Sequence, residues 1–186
     1  MNFISTRGGE KVNGAAKAIV KGLADDGGLF VPESFPPVTG EELEAMLPLS
    51  YPERAAKILG KYLDDYDGEE LLSALEAAYS KFEGDPAPLV KIDDGIYLLE
   101  LWHGPTCAFK DIALTVLPYL LRKGSDICGI KEKILILVAT SGDTGKAALE
   151  GFKDAEGIKI MVFYPDDGVS KMQKLQMCTQ EGSNVN

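Results

Sequence analysis

A chain of 186 residues that is 45% hydrophobic and 26% charged has enough apolar material to bury a core in one or two domains. Its 29 acidic side chains outnumber 19 basic ones, and the net charge of −10 argues against nucleic acid or an anionic membrane surface as a partner. No apolar run reaches the roughly 18 residues of a membrane helix. Met1-Asn2-Phe3-Ile4-Ser5 lacks the basic and apolar segments of a signal peptide, so a cytoplasmic protein is expected.

In chain order, Asn13–Ala24 carries apolar residues at helical spacing and stops at Asp25-Asp26-Gly27-Gly28. Leu29-Phe30-Val31 predicts a short strand closed by Pro32. Thr39-Gly40-Glu41-Glu42 opens a short helix, and further helices are predicted over Tyr51–Leu63 and Gly68–Phe82. Gly84-Asp85-Pro86-Ala87-Pro88 cannot stay helical and marks a domain boundary, giving a mainly helical N-terminal domain over 1–85 and a second domain over 86–186.

Beyond it the pattern changes. Leu89–Ile92 and Ile96–Leu101 read as strands around the turn Asp93-Asp94-Gly95, and Phe109–Lys123 as a mostly buried helix, kinked at Pro118. Lys133–Ala139 is a continuous apolar run, expected as a parallel strand covered on both faces. Thr144–Ala155 predicts a helix, Ile158–Tyr164 a strand and Ser170–Thr179 a helix, and Val185 begins another strand. Strand and helix alternate, so an α/β parallel sheet is expected, and the chain reads as ending partway through it. Cys107, Cys128 and Cys178 are too few and too scattered for a disulfide framework. With the single histidine, His103, they form no paired zinc spacing, so no metal is expected and the thiols read as buried and inert.

Two loops carry chemistry, each where a strand meets a helix, the usual ligand position in open α/β sheets. The first is His103-Gly104-Pro105-Thr106-Cys107-Ala108-Phe109-Lys110-Asp111. Lysine in the first helical turn is unfavourable beside the positive end of the macrodipole, and that field disfavours the ammonium. A neutral amine is what covalent attachment to an aldehyde requires. The competing reading is a surface lysine paired with Asp111. The second is Ala139-Thr140-Ser141-Gly142-Asp143-Thr144-Gly145, whose small residues and helix-start N–H groups suit an anion. Its competing reading is a capped turn with Ser141 or Asp143 as N-cap. A nucleotide-binding P-loop is excluded, since Thr140 stands where its opening glycine belongs and Ala147 where its metal-binding hydroxyl belongs.

These two loops in this order resemble those of the threonine synthase family. His103–Asp111 (HGPT-x-AFKD) is similar to that family's cofactor-lysine motif, with Cys107 where an apolar residue is usual. Thr140–Gly145 (TSGDTG) is similar to its substrate-facing loop. Ser5-Thr6-Arg7-Gly8, Val169-Ser170, Gln173 and Gln176-Met177 add to the resemblance, which runs the length of the chain. It implies a pyridoxal 5'-phosphate enzyme of fold type II, with a three-layer parallel-sheet domain like that of the tryptophan synthase beta chain, present here only in its first part. It also implies threonine biosynthesis from O-phospho-L-homoserine and water, with phosphate released. Lys110 would be catalytic and hold the cofactor, Phe109 would pack beside its ring, and Ser141, Gly142, Asp143, Thr144 and Gly145 would hold the substrate carboxylate.

Family chains are longer, so the loop for the cofactor phosphate and the group facing the ring nitrogen are expected beyond Asn186. This piece alone would then be inactive and prone to self-association. Two alternatives stay open: a threonine synthase-like phospholyase acting on a related phospho-amino acid, and a non-catalytic scaffold.

Overall fold

The computed structural model describes residues 1–186, which form two compact units. The first comprises Met1–Glu76 and Tyr119–Lys131. It opens on an antiparallel sheet of order β2-β1-β3, built from β1 (Asn2–Ser5), β2 (Lys11–Asn13) and β3 (Phe30–Pro32). Phe3 of β1 sits between Val12 and Pro32. Pro32 lacks an N–H, and its strand lies at an edge, where that costs least. The Asp26 carboxylate ties the sheet's loops together, accepting from the Ser5 hydroxyl at 2.6 Å, Gly9 N–H at 2.8 Å and Gly28 N–H at 2.9 Å. The Ser5 bond, then that from Gly28, holds its carboxyl below the usual range. Arg7 donates to the Asp26 carbonyl oxygen at 2.8 Å.

Helix α1 (Ala15–Lys21) buries Ala15, Ala16 and Ala18. Helices α2 (Gly40–Met46) and α3 (Tyr51–Gly60) each start in a capping box, Thr39 with Glu42 and Ser50 with Glu53. Helix α4 (Gly68–Tyr79) sinks Leu71 and Leu75 into the core. Tyr66 reaches the Leu120 carbonyl at 2.8 Å, and burial raises its phenol well above the ordinary value.

The second unit comprises Ala77–Pro118 and Glu132–Asn186. Strands β4 (Leu89–Asp93) and β5 (Ile96–Leu99) pair antiparallel around Gly95, which has φ 74°. The predicted single helix over Phe109–Lys123 is two helices, α5 (Asp111–Leu114) and α6 (Leu117–Ile127), the residues of α6 from Tyr119 on counting in the first unit. The break has a chemical cause. Pro118 has no N–H to donate to the Leu114 carbonyl four residues back. That freed carbonyl faces Gly151 of α7 (Asp143–Phe152), where an added Cβ would collide with it. Gly151→Ala is therefore expected to push α5 and α7 apart and to cost roughly 1–3 kcal/mol, read as a lowered urea midpoint with unchanged slope. An unshifted midpoint would show that the contact is dispensable.

Strands β6 (Ile134–Ala139) and β7 (Ile158–Phe163) pair parallel in register from Ile134↔Ile158 to Ala139↔Phe163. Val185 continues the sheet beside Ile160, as expected. Asn184 anchors this end: its amide donates to Phe152 O at 2.8 Å and Ile158 O at 2.9 Å and accepts from Asp154 N–H at 2.7 Å. Helix α8 (Lys171–Cys178) closes the chain, capped by Ser170 with Gln173.

Two expectations are corrected here. Strand β6 is not covered on both faces. It alternates, with Leu135 53% and Leu137 63% exposed on one side, because within these residues only the other side receives a helix layer. The three cysteines are exposed rather than buried: Cys107 lies in a surface loop, Cys128 just past α6 and Cys178 on the last turn of α8. No helix is long and apolar enough to cross a membrane.

Candidate functional site

After β5 the chain turns through Gly104 and Thr106 into α5. Cys107 N–H bonds to the Gly104 carbonyl at 3.0 Å, and Cys107 itself adopts φ 58°, a left-handed conformation uncommon for a residue with a side chain. Lys110 occupies the N-cap position of α5 rather than its first turn. Its ammonium lies 4.2 Å from the centroid of the Phe109 ring, a cation–π contact, and Phe109 is 61% exposed. Pairing with Asp111 is overturned. Asp111 is 1% exposed, and its two carboxylate oxygens accept from Thr106, from the N–H at 2.8 Å and from the hydroxyl at 2.6 Å. His103, stacked on Trp102 at 5.8 Å, bonds Glu100 at 2.7 Å.

The second loop leaves β6 at Ala139. Thr140 N–H bonds Phe163 O at 3.0 Å, and its hydroxyl accepts from Gly142 N–H at 3.1 Å, which folds the loop back on itself. The N-cap of α7 is Gly142, and no side chain caps the helix; neither Ser141 nor Asp143 takes that role. The Asp143 carboxylate is drawn away by Gln173 of α8, whose amide donates to it at 2.7 Å. A helix start without a side-chain cap presents N–H groups and a partial positive charge to an anion. Gly145 is required by packing, since a Cβ there would stand 2.7 Å from Thr140 Cγ2 and press on Met177.

At the carboxyl ends of β6 and β7 lies an open cleft of about 440 Å³, lined by Ala139, Thr140, Ser141, Phe163, Tyr164 and Pro165. The Tyr164 hydroxyl contacts the Cys178 thiol at 2.9 Å; this bond, then burial, raises the phenol above its usual value. Both loops belong to the second unit and lead into α5 and α7, which pack on each other. No group of three or more His, Cys, Asp and Glu side chains gathers to hold a metal.

The fit to an aldehyde cofactor is chemical. Lys110 offers an amine free of Asp111, and Phe109 offers an exposed ring beside it. The sequence reading missed Asp111 with Thr106, Gln173 and Tyr164. The usable signal was a threonine just after a glycine-proline pair and five residues before an aspartate.

Residues 2–79 match a family model described as the threonine synthase N terminus. A threonine synthase of Pseudomonas aeruginosa is 39% identical over 100% of this chain and 39% of its own length. A threonine synthase-like 2 protein of Rattus norvegicus is 36% identical over 100% of this chain and 38% of its own. The structure of pyridoxal-phosphate-bound threonine synthase from Brucella melitensis superposes with a TM-score of 0.91 at 37% identity, covering 100% of this chain and 40% of that one. The chain thus spans about two fifths of the length of the relatives it matches.

Proposed function

We propose, because this chain belongs to the threonine synthase family and matches its N-terminal part, that it contributes the cofactor lysine and the substrate-carboxylate loop to the conversion of O-phospho-L-homoserine and water to L-threonine and phosphate. The observation that carries the reading is Lys110, held at the start of α5 with its amine free of Asp111. Lys110 would hold pyridoxal phosphate covalently, with Phe109 beside it. When bound, that group stabilises negative charge developing on the substrate's carbons.

This chain's residues then divide the work. Lys110 Nζ would take and return a proton at the substrate's α-carbon and carry the proton lost by the β-carbon to the γ-carbon. Phosphate would depart from the γ-carbon, which gains the proton lost by the β-carbon and becomes the methyl group, and the hydroxyl of water would join the β-carbon while its other proton goes to the phosphate. The substrate carboxylate would sit on the loop Ser141, Gly142, Asp143, Thr144 and Gly145, held by helix-start N–H groups and hydroxyls. Gln173 supports this by keeping the like-charged Asp143 carboxylate turned aside.

Thr144→Val tests the loop. Losing one hydrogen bond to a charged group is expected to lower kcat/KM about ten- to a hundredfold while leaving cofactor absorbance unchanged. Wild-type kinetics would remove Thr144 from the site.

The likeness to a threonine synthase-like 2 protein keeps a second reading, a phospholyase acting on a related phospho-amino acid. Chromatography of the amino-acid product separates the two. We place a domain boundary near Gly84–Pro88, giving a mainly helical domain over 1–85 and the start of the cofactor domain over 86–186; the terminator cluster there supports it, although the compact units interleave across it. A cytoplasmic location and a small-molecule substrate belong to the same proposal.

A further inference from the structure

We propose that Asp111 is a positioning residue whose buried carboxylate, clamped by Thr106, fixes the loop that presents Lys110; this rests on the reading of Lys110 as the cofactor-bearing residue. A carboxylate is almost never fully buried unless matched by donors. Asp111 is 1% exposed, and both of its oxygens are matched from one residue: Oδ2 by Thr106 N–H at 2.8 Å and Oδ1 by the Thr106 hydroxyl at 2.6 Å. These bonds close a ring of chain from Thr106 to Asp111, with Lys110 inside it.

Two further contacts show that the ring is held from outside. Gly104 packs so closely that a Cβ there would stand 2.5 Å from Asp111 Oδ2, so a side chain would drive the carboxylate out. The Thr115 hydroxyl donates to the Asp111 carbonyl at 2.7 Å, anchoring it from the helix side. Within the ring, Cys107 sits at φ 58°. Such a conformation persists only where the surroundings over-determine it, and the clamp is that constraint. The arrangement has a consequence for charge. The carboxylate next to Lys110 in sequence is committed to Thr106, so it does not capture the amine, which rests on Phe109.

The test labels this chain with pyridoxal phosphate, traps the adducts with borohydride and maps the peptides. Wild type is compared with Thr106→Val, Thr106→Ser and Asp111→Ala. Lys110 is expected to take the largest share of label in wild type. Thr106→Val keeps the side-chain shape and loses the hydroxyl, and is expected to lower that share about tenfold, as is Asp111→Ala. Thr106→Ser keeps both donors and restores it. Lys21, Lys61 and Lys123, each held in an ion pair, report on the rest of the fold, and their labelling stays constant if the effect is confined to the loop. If Asp111→Ala unfolds the chain, label spreads over these lysines too, and the Thr106 pair decides. Equal Lys110 labelling in wild type and Thr106→Val overturns the clamp while leaving Lys110 as the cofactor residue. Wild-type label concentrated on another lysine overturns both.

Discussion

Lys110→Ala in a family-length chain carrying these residues is expected to lower phosphate release from O-phospho-L-homoserine by about a hundred- to ten-thousandfold, the range for removing a positioned proton-transfer group. The fold should survive. Lys110 is half-buried, sits at the N-cap of α5 without a side-chain capping bond, and rests on an exposed Phe109 ring. Its removal therefore costs a cation–π contact worth roughly 0.5–1 kcal/mol at such a site. Lys110→Arg should fail as completely, because a guanidinium stays protonated and cannot serve as a nucleophilic amine. Phosphate release and thermal melting, measured together, separate chemistry from stability. Activity within tenfold of wild type in either variant would place the essential amine elsewhere.

These 186 residues taken by themselves are expected to release no phosphate above background and to bind pyridoxal phosphate only at millimolar concentrations. The cofactor's phosphate is a dianion and needs several fixed donors. The uncapped start of α7 is assigned to the substrate carboxylate. The cleft beside it is open to water, which weakens each electrostatic contact in it. The same residues leave much apolar surface uncovered: Leu135, Leu137 and Phe163 on the β6–β7 sheet, and Leu89, Ile92, Ile96 and Leu98 on the β4–β5 hairpin. Surfaces of this kind drive association, so the elution volume should fall as concentration rises, and Leu135→Lys with Leu137→Lys should restore it. Micromolar cofactor affinity with turnover from the wild-type 186 residues would show that the cradle lies within them.

The α/β part was legible because its signals are long and local. The continuous apolar run at 134–139 and the strand pattern at 158–163 became paired parallel strands, and the Thr39 and Ser170 starts became capping boxes. What escaped depends on partners far along the chain. Strands β1 and β2 hold four and three residues, too short to show a period, and exist because Phe3 pairs with both Val12 and Pro32. The helix break before Pro118 lies where the missing N–H matters rather than at the proline, and Gly151 accommodates the freed carbonyl from 37 residues away (151 less 114). At the site, residue types at strand–helix junctions pointed to Lys110 and to Ser141–Gly145. Hydrogen-bond choices could not be read that way. Asp111 takes Thr106 instead of its neighbour Lys110, and Asp143 takes Gln173 instead of capping its own helix.

Borohydride reduction of a family-length protein saturated with pyridoxal phosphate, followed by mass mapping of its peptides, addresses Lys110 most directly. A single phosphopyridoxyl adduct on Lys110, with loss of the bound cofactor's visible absorbance, is the expected result. An adduct on any other lysine, with Lys110 unmodified, would contradict it.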